Sequence, residues 1–287
     1  MVHKMEWYVG TEWKLERKGL YKKVLALEFT KVEKPHQVAK VVINVEQVEN
    51  LKDRETQWLN ANTLNKDQIM EMGSAITPID YYLEILVQQM MLGETAECTI
   101  KTKTPGEDVK IVLTLQEIKQ TKGIQQLTVP EMYELASKYK ENGVKMFKKY
   151  PIFAHEYFAK AAKCLISYKN FEGLTKKRDG VAGKDMQELF IQIQTNLAAC
   201  LLNEKRYDDV LYQTSFVDTM NAPSEKSIYR RAMAYYHMHE YELAQKTIEK
   251  VADFKDKKEF ANLYQKTKDS WKNSNAQYKG MVQKMFG

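Results

Sequence analysis

The sequence predicts an α+β fold in two parts. An antiparallel β-sheet with one helix laid across it comes first, followed by an all-α stack of three helical repeats and a C-terminal capping helix. Three observations carry this expectation. Ahead of residue 120, Val, Ile, Leu and Thr alternate with polar residues at period two, as half-buried antiparallel strands do. From Pro130 onward the period becomes 3.6 and the strand signals stop. Within that second half, apolar and aromatic positions recur at an offset of 34 residues. The expected domains are residues 1–120 and 131–287, with 121–130 as a short linker.

Strands are expected in "KVLALEFTKV" (23–32), "QVAKVVINVEQV" (37–48), "AECTIKTKT" (96–104) and "DVKIVLTLQEI" (108–118). Between them "ITPIDYYLEILVQQMMLGE" (76–94) reads as one helix, with Pro78 near its start and Gly93 just past its end. "TPGED" (104–108) is a tight hairpin turn. The second half predicts amphipathic helices at 131–149, 152–169, 184–203, 207–220, 224–238 and 241–252, then a longer segment over 256–286. "NFEGLTKKRDGVAGKD" (170–185) interrupts them and is expected to be an exposed, mobile loop.

The repeats align residue by residue. Ala198 matches Ala232, Leu201 matches Tyr235, Tyr207 matches Tyr241 and Val210 matches Ala244, and the offset of 34 is the tetratricopeptide period. An earlier unit over 138–165 places Gly143 at the small-residue packing site and Ala154, Phe158 and Ala161 on its second helix, with a turn one residue shorter. Small residues there let paired helices approach closely, and three repeats plus a cap are about the minimum for a stable stack.

Composition narrows the function classes. The 287 residues are 44% hydrophobic and 29% charged, with mean hydropathy -0.55, enough for a core and against global disorder. No run reaches the roughly 18 apolar residues of a membrane span, so no membrane partner is expected. The amino-terminal stretch lacks a signal-peptide apolar core, and the expected compartment is the cytoplasm, with the nucleus also open. Cys98, Cys164 and Cys200 are widely spaced and read as buried free thiols. The net charge of +6 is interspersed with carboxylates and does not specify nucleic acid. His237 and His239, two apart on a helix, point to different sides; His155 reads as a structural histidine. Neither a metal, a cofactor nor a nucleotide motif is expected.

One stretch carries an unusual charge pattern. "SEKSIYRRAMAYY" (224–236) sets Lys226 and Arg230 four residues apart on one helical face, which costs a few tenths of a kcal/mol in repulsion. The layout resembles the tetratricopeptide domain of chaperone-binding proteins, whose carboxylate clamp grips the acidic C-terminal tail of heat-shock protein 90 or 70. Lys140, Asn196, Lys226 and Arg230 occupy four places of that clamp, and Val144 stands where the family has Asn. Converging cationic and amide donors suit a terminal carboxylate, while losing one such hydrogen bond costs about 1.5–3 kcal/mol. Another acidic partner for the same groove remains an alternative.

The string "QQMMLGETAECTI" (88–100), leaving a helix and entering a strand, resembles immunophilins of the FKBP family over residues 15–120. The ending "AQYKGMVQKMF" (276–286) is similar to a tail segment of the large immunophilins. The resemblance implies a prolyl isomerase pocket at Ile79, Asp80 and Leu83, but that pocket is degenerate. Leu83 stands for the floor Trp, and Ile79–Asp80 replaces a Val–Ile pair. A charge there opposes a dry cradle. The flap is cut to "TKTPGEDVK" (102–110), the expected Phe–Asp pair is missing from 42–59, and Trp58 lies in another segment. No catalytic residue is expected. The resemblance, to atypical FKBP-like members carrying tetratricopeptide repeats, implies a non-catalytic adaptor whose client is a casein kinase 1 family kinase of the circadian clock. The alternatives are a heat-shock protein 90/70 co-chaperone with a partial clamp and a residual peptidyl-prolyl isomerase.

Overall fold

A computed structural model of the chain describes residues 7–28, 33–119, 122–168, 170–218 and 224–286. They form two compact units, Met1–Met132 and Tyr133–Gly287.

The first unit is a six-stranded, wholly antiparallel sheet. Its strands are β1 (Glu12–Leu15), β2 (Leu20–Leu27), β3 (Lys40–Glu49), β4 (Asp67–Glu71), β5 (Glu94–Ile100) and β6 (Val109–Ile118), in the order β1-β2-β5-β6-β3-β4. Period-two alternation sends Leu20 and Val24, Ala96 and Cys98, and Ile111 and Leu113 inward. Helix α1 (Pro78–Val87) buries Leu83, Leu86 and Val87 and packs on β2 and β5. The turn at 104–108 is present, with Gly106 at φ 80° and the Glu107 amide donating to the Thr104 carbonyl at 3.2 Å. The last part of the expected first strand, 29–32, lies outside the described residues.

Three readings of this unit change. The edge strands β1 and β4 were not expected, because four or five residues rich in Lys, Glu and Asp carry too little alternation to register. Helix α1 ends at Val87, well short of Gly93. The fully buried Glu94 carboxylate accepts the Met91 amide at 2.8 Å and draws the chain into β5, so Gly93 (φ 74°) serves that turn and not a helix cap. The described part of the expected linker, 122–130, holds a 3-10 turn at Ile124–Gln126 and the start of the next helix.

The second unit pairs α2 (Val129–Phe147) with α3 (Pro151–Ile166), α5 (Gly183–Asn203) with α6 (Tyr207–Asp218), and α7 (Glu225–His237) with α8 (Tyr241–Ile248). The long α9 (Lys258–Phe286) caps them, and α4 (Lys176–Asp179) is a single turn. Ala198, Ala232, Val210 and Ala244 are all fully buried. A Cβ on Gly143 would lie 2.6 Å from the Phe158 ring, so only glycine admits α3 this closely. The loops at 148–150, 204–206 and 238–240 have equal length, so the residue missing from the first repeat comes out of the end of α2, not the turn. Lys205 and His239, 34 residues apart, both adopt left-handed φ (59° and 63°) and close their helices with matching hydrogen bonds.

Residues 170–185 are not a loose loop. Phe171 is buried against Phe190 with ring centres 5.6 Å apart, and Val181 is buried. A Cβ on Gly183 would lie 2.0 Å from the Phe171 carbonyl oxygen, so the segment is folded onto itself. Helix α8 stops at Ile248, earlier than expected, because buried Val251 folds into the core and Asp253 turns the chain at φ 54°. Residues 169, 219 and 220, expected to be helical, lie outside the described residues. All three cysteines are free and buried, and burial pushes the Cys98, Cys164 and Cys200 thiols up to about 12, 11 and 12. No helix among the described residues is long and apolar enough to cross a membrane.

Candidate functional site

The groove begins at the amino terminus of α7. Ser224 caps this helix by accepting the Ser227 amide at 3.2 Å, which fixes its first helical residue at Glu225. The helical spacing of about 100° per residue then sends the consecutive arginines in different directions. Arg231 turns back to α6, pairing with Asp218 at 3.2 Å and donating to the Leu211 carbonyl and the Thr214 hydroxyl at 3.0 Å. Arg230 faces a cavity of about 460 Å³ bounded by α5, α7 and α9.

Lys226 and Arg230 line this cavity together with Ala199, Asn203, Tyr229 and Phe260. Lys226 and Arg230 therefore lie at one concavity of the helical stack. Its electrostatics are mixed, because Glu225 and Glu259 line it as well, and Glu225 is held by Lys257 at 2.5 Å. Lys226 is exposed and available. Arg230 is half-buried, donates to the Thr195 carbonyl, and has its pKa lowered by burial. Part of its donor fork is thus already used.

The other residues expected of a clamp are Lys140, Asn196 and, at the divergent place, Val144. Lys140, on α2, donates to the Gln192 side chain on α5 at 3.0 Å. Asn196 is half-buried on the same helix, one turn beyond Gln192. Val144 is 55% exposed, so an isopropyl group presents itself where an amide was expected. Sequence reasoning missed Gln192, Asn203 and Tyr229. The repeat offset carries a signal for the first, since Gln192 stands 34 residues before Lys226.

The prolyl-pocket positions have a different fate. Asp80 is fully buried on α1, and its carboxylate accepts the Thr56 hydroxyl at 2.5 Å and the Gln57 amide at 2.9 Å. Burial raises its pKa, while those hydrogen bonds pull the other way. It therefore anchors the 56–59 turn, in which Trp58 and Leu59 are both buried. Leu83 is 0% exposed and Ile79 7%. One turn on, buried Glu84 accepts the amides of Gly73, Ser74 and Ala75 at 2.8–2.9 Å. Helix α1 thus spends its two carboxylates on holding neighbouring turns.

Two of the described histidines are engaged by tyrosines. His237 stacks on Tyr207 with ring centres 4.9 Å apart, and the His239 Nδ1 lies 2.8 Å from the Tyr241 hydroxyl. Among the described residues no group of three or more His, Cys, Asp or Glu is arranged to hold a metal.

Two family models match the chain. The one described as "BDBT FKBP like N-terminal" covers residues 13–120, and "Bride of doubletime-like, TPR domain" covers 128–212, ending before the third repeat. The chain is 49% identical over 286 residues to the protein Bride of doubletime of Drosophila melanogaster, covering 98% of this chain and all of that one. A crystal structure of residues 1–211 of CG17282 is 48% identical, with a TM-score of 0.66 over 72% of this chain and all of that one.

Proposed function

Since this chain belongs to the Bride of doubletime family and is a protein-binding adaptor, we propose that it works without catalysis and that its client is a casein kinase 1 family kinase. The observation that carries the non-catalytic reading is the state of α1. The residue at the isomerase floor, Leu83, has no solvent-exposed surface, and Asp80 beside it puts a hydrogen-bonded carboxylate where catalysis needs an apolar cradle. The kinase client comes from the family resemblance, and the repeat groove supplies a surface for it. Two measurements test this. A protease-coupled assay on prolyl peptides should give no rate above background, and any turnover defeats the non-catalytic reading. Purified protein should capture a purified casein kinase 1 family kinase; failure to do so at micromolar concentration removes that client.

A second reading is supported by Lys226 and Arg230 sharing one cavity. In it, the groove takes the acidic tail of heat-shock protein 90 or 70 through Lys140, Asn196, Lys226 and Arg230. The exposed Val144 and the partly committed Arg230 weaken that clamp. Calorimetric titration with a peptide ending Met-Glu-Glu-Val-Asp tests it on the wild type, Lys226→Ala/Arg230→Ala and Val144→Asn. Wild-type binding abolished by the double substitution supports the clamp. Binding only by Val144→Asn means that the groove is a disabled clamp.

A further inference from the structure

The capping helix outlasts what it caps. Phe260, Leu263 and Thr267 of α9 are buried, with Phe260 and Leu263 packed against Ile228, Ala232, Ile248 and Val251. The Ser270 and Tyr236 hydroxyls, 3.2 Å apart, mark the end of that contact. Beyond Trp271, fifteen more residues continue the helix, about 22 Å, and none of the described side chains among them is buried.

This overhang is amphipathic. Trp271, Tyr278, Met281 and Met285 fall at spacings of seven, three and four, which places them on one face. It is the same face that Phe260 and Tyr264 present to the repeats lower down. Tyr278 is 66%, Met281 58% and Met285 76% exposed. Asn273, Ser274, Asn275 and Gly280 are poor helix formers, so the overhang has little propensity to sustain a helix without a partner.

Its charge selects the partner. Residues 266–286 carry five lysines and one aspartate. A groove of about 680 Å³ runs along α9, with Tyr264, Trp271 and Ala276 in its lining and Lys268, Lys272 and Lys279 along it. A second copy of this chain would bring like charges together, which opposes self-association. We propose that the carboxy-terminal half of α9 docks an acidic amphipathic helix of a partner protein, whose apolar residues cover the Trp271–Met285 stripe while its carboxylates meet the three lysines. This surface is separate from the cavity at Lys226 and does not depend on what that cavity binds.

The test uses two synthetic amphipathic helices with the same leucine stripe, one flanked by glutamates and the other by lysines, titrated against the full chain. The glutamate helix should bind at least about tenfold more tightly, and more weakly at high salt. Lys268→Glu/Lys272→Glu/Lys279→Glu, all at exposed positions, should reverse the preference. Trp271→Ala/Tyr278→Ala should weaken binding about tenfold or more. Equal binding of both helices, or of neither, overturns the proposal. So does displacement of the glutamate helix by the acidic-tail peptide, which would place both in one groove. Sedimentation as a dimer through the stripe gives the face to a second copy, and binding to phosphatidylserine vesicles in place of the peptide gives it to a membrane surface; either result overturns the proposal.

Discussion

Helix α1 and helix α7 each carry two like charges four residues apart, Asp80 with Glu84 and Lys226 with Arg230. On a bare helix the two pairs are equivalent, each mildly repulsive. In the fold they diverge. Asp80 and Glu84 are both buried, and the turns at 56–57 and 73–75 wrap onto them, supplying backbone amides and a hydroxyl. Lys226 stays in solvent and Arg230 gives up part of its fork to one carbonyl, both facing a cavity. What separates a structural charge from an available one is whether the chain brings complementary groups to it.

Substitution can break this contrast, and the largest effect is expected at Glu84. Glu84→Ala leaves three amides, two buried and one half-buried, without this acceptor and should cost about 4 kcal/mol, read as a lower urea midpoint of the full chain. Asp80→Ala orphans fewer donors and relieves a desolvated carboxylate, so about 2 kcal/mol is expected. A loss near zero at either position would make the α1 charges as idle as surface ones. Lys226→Ala should change stability by less than about 0.5 kcal/mol. If the groove takes an acidic tail, it should still weaken that binding roughly tenfold, since a charge-assisted hydrogen bond is lost. Destabilisation on the scale of Glu84 would mean that the groove cations are structural too.

The smallest effect sharpens the contrast from a third case. Glu131 is a surface carboxylate that accepts hydrogen bonds from Lys122 and from the Thr128 amide and hydroxyl, and these hold its pKa down at about 2. A carboxyl depressed on folding stabilises above its ordinary range and loses that contribution as pH falls towards the folded value. The first turn of α2 should therefore fray as pH drops from the ordinary carboxylate range towards 2. The Thr128 amide should then exchange faster with solvent, and Glu131→Gln should remove the pH dependence of that exchange.

The buried Lys22–Glu94 pair shows how a sequence can conceal a structural charge. Lys22 lies within a strand of inward-facing Leu20 and Val24, and it pairs with Glu94 from β5. Trp7 donates to the same carboxylate at 2.7 Å and lies over Lys22, its ring centre 4.4 Å from the ammonium. The strand expected from the sequence begins at Lys23 and leaves Lys22 outside it, so the inward parity that Lys22 shares with Leu20 and Val24 does not register. The edge strands escaped for a related reason, being short and charged. In the helical half a 34-residue repeat leaves several independent marks on each unit, and the small-residue sites at Gly143, Ala198 and Ala232 were legible beforehand. Of the groove, Lys226 and Arg230 were legible because four-residue spacing alone puts them on one face. Glu259 and Phe260 were not, because they arrive from α9 by chain reversal.

By itself, then, the sequence determined the two-part architecture, the repeat period and the positions of the packing alanines and glycine. Each is a consequence of local periodicity and side-chain volume. Only the tertiary structure decided which charges are consumed and which remain free to bind. Asp80 stands in an apolar helix and Lys226 in a polar one, which favours burial of the first; its hydrogen-bond partners, and the cavity beside Lys226, are supplied by loops and helices distant in sequence. The same holds for the overhang of α9. Its stripe is written in the sequence, but whether those residues meet a core depends on where the repeats stop.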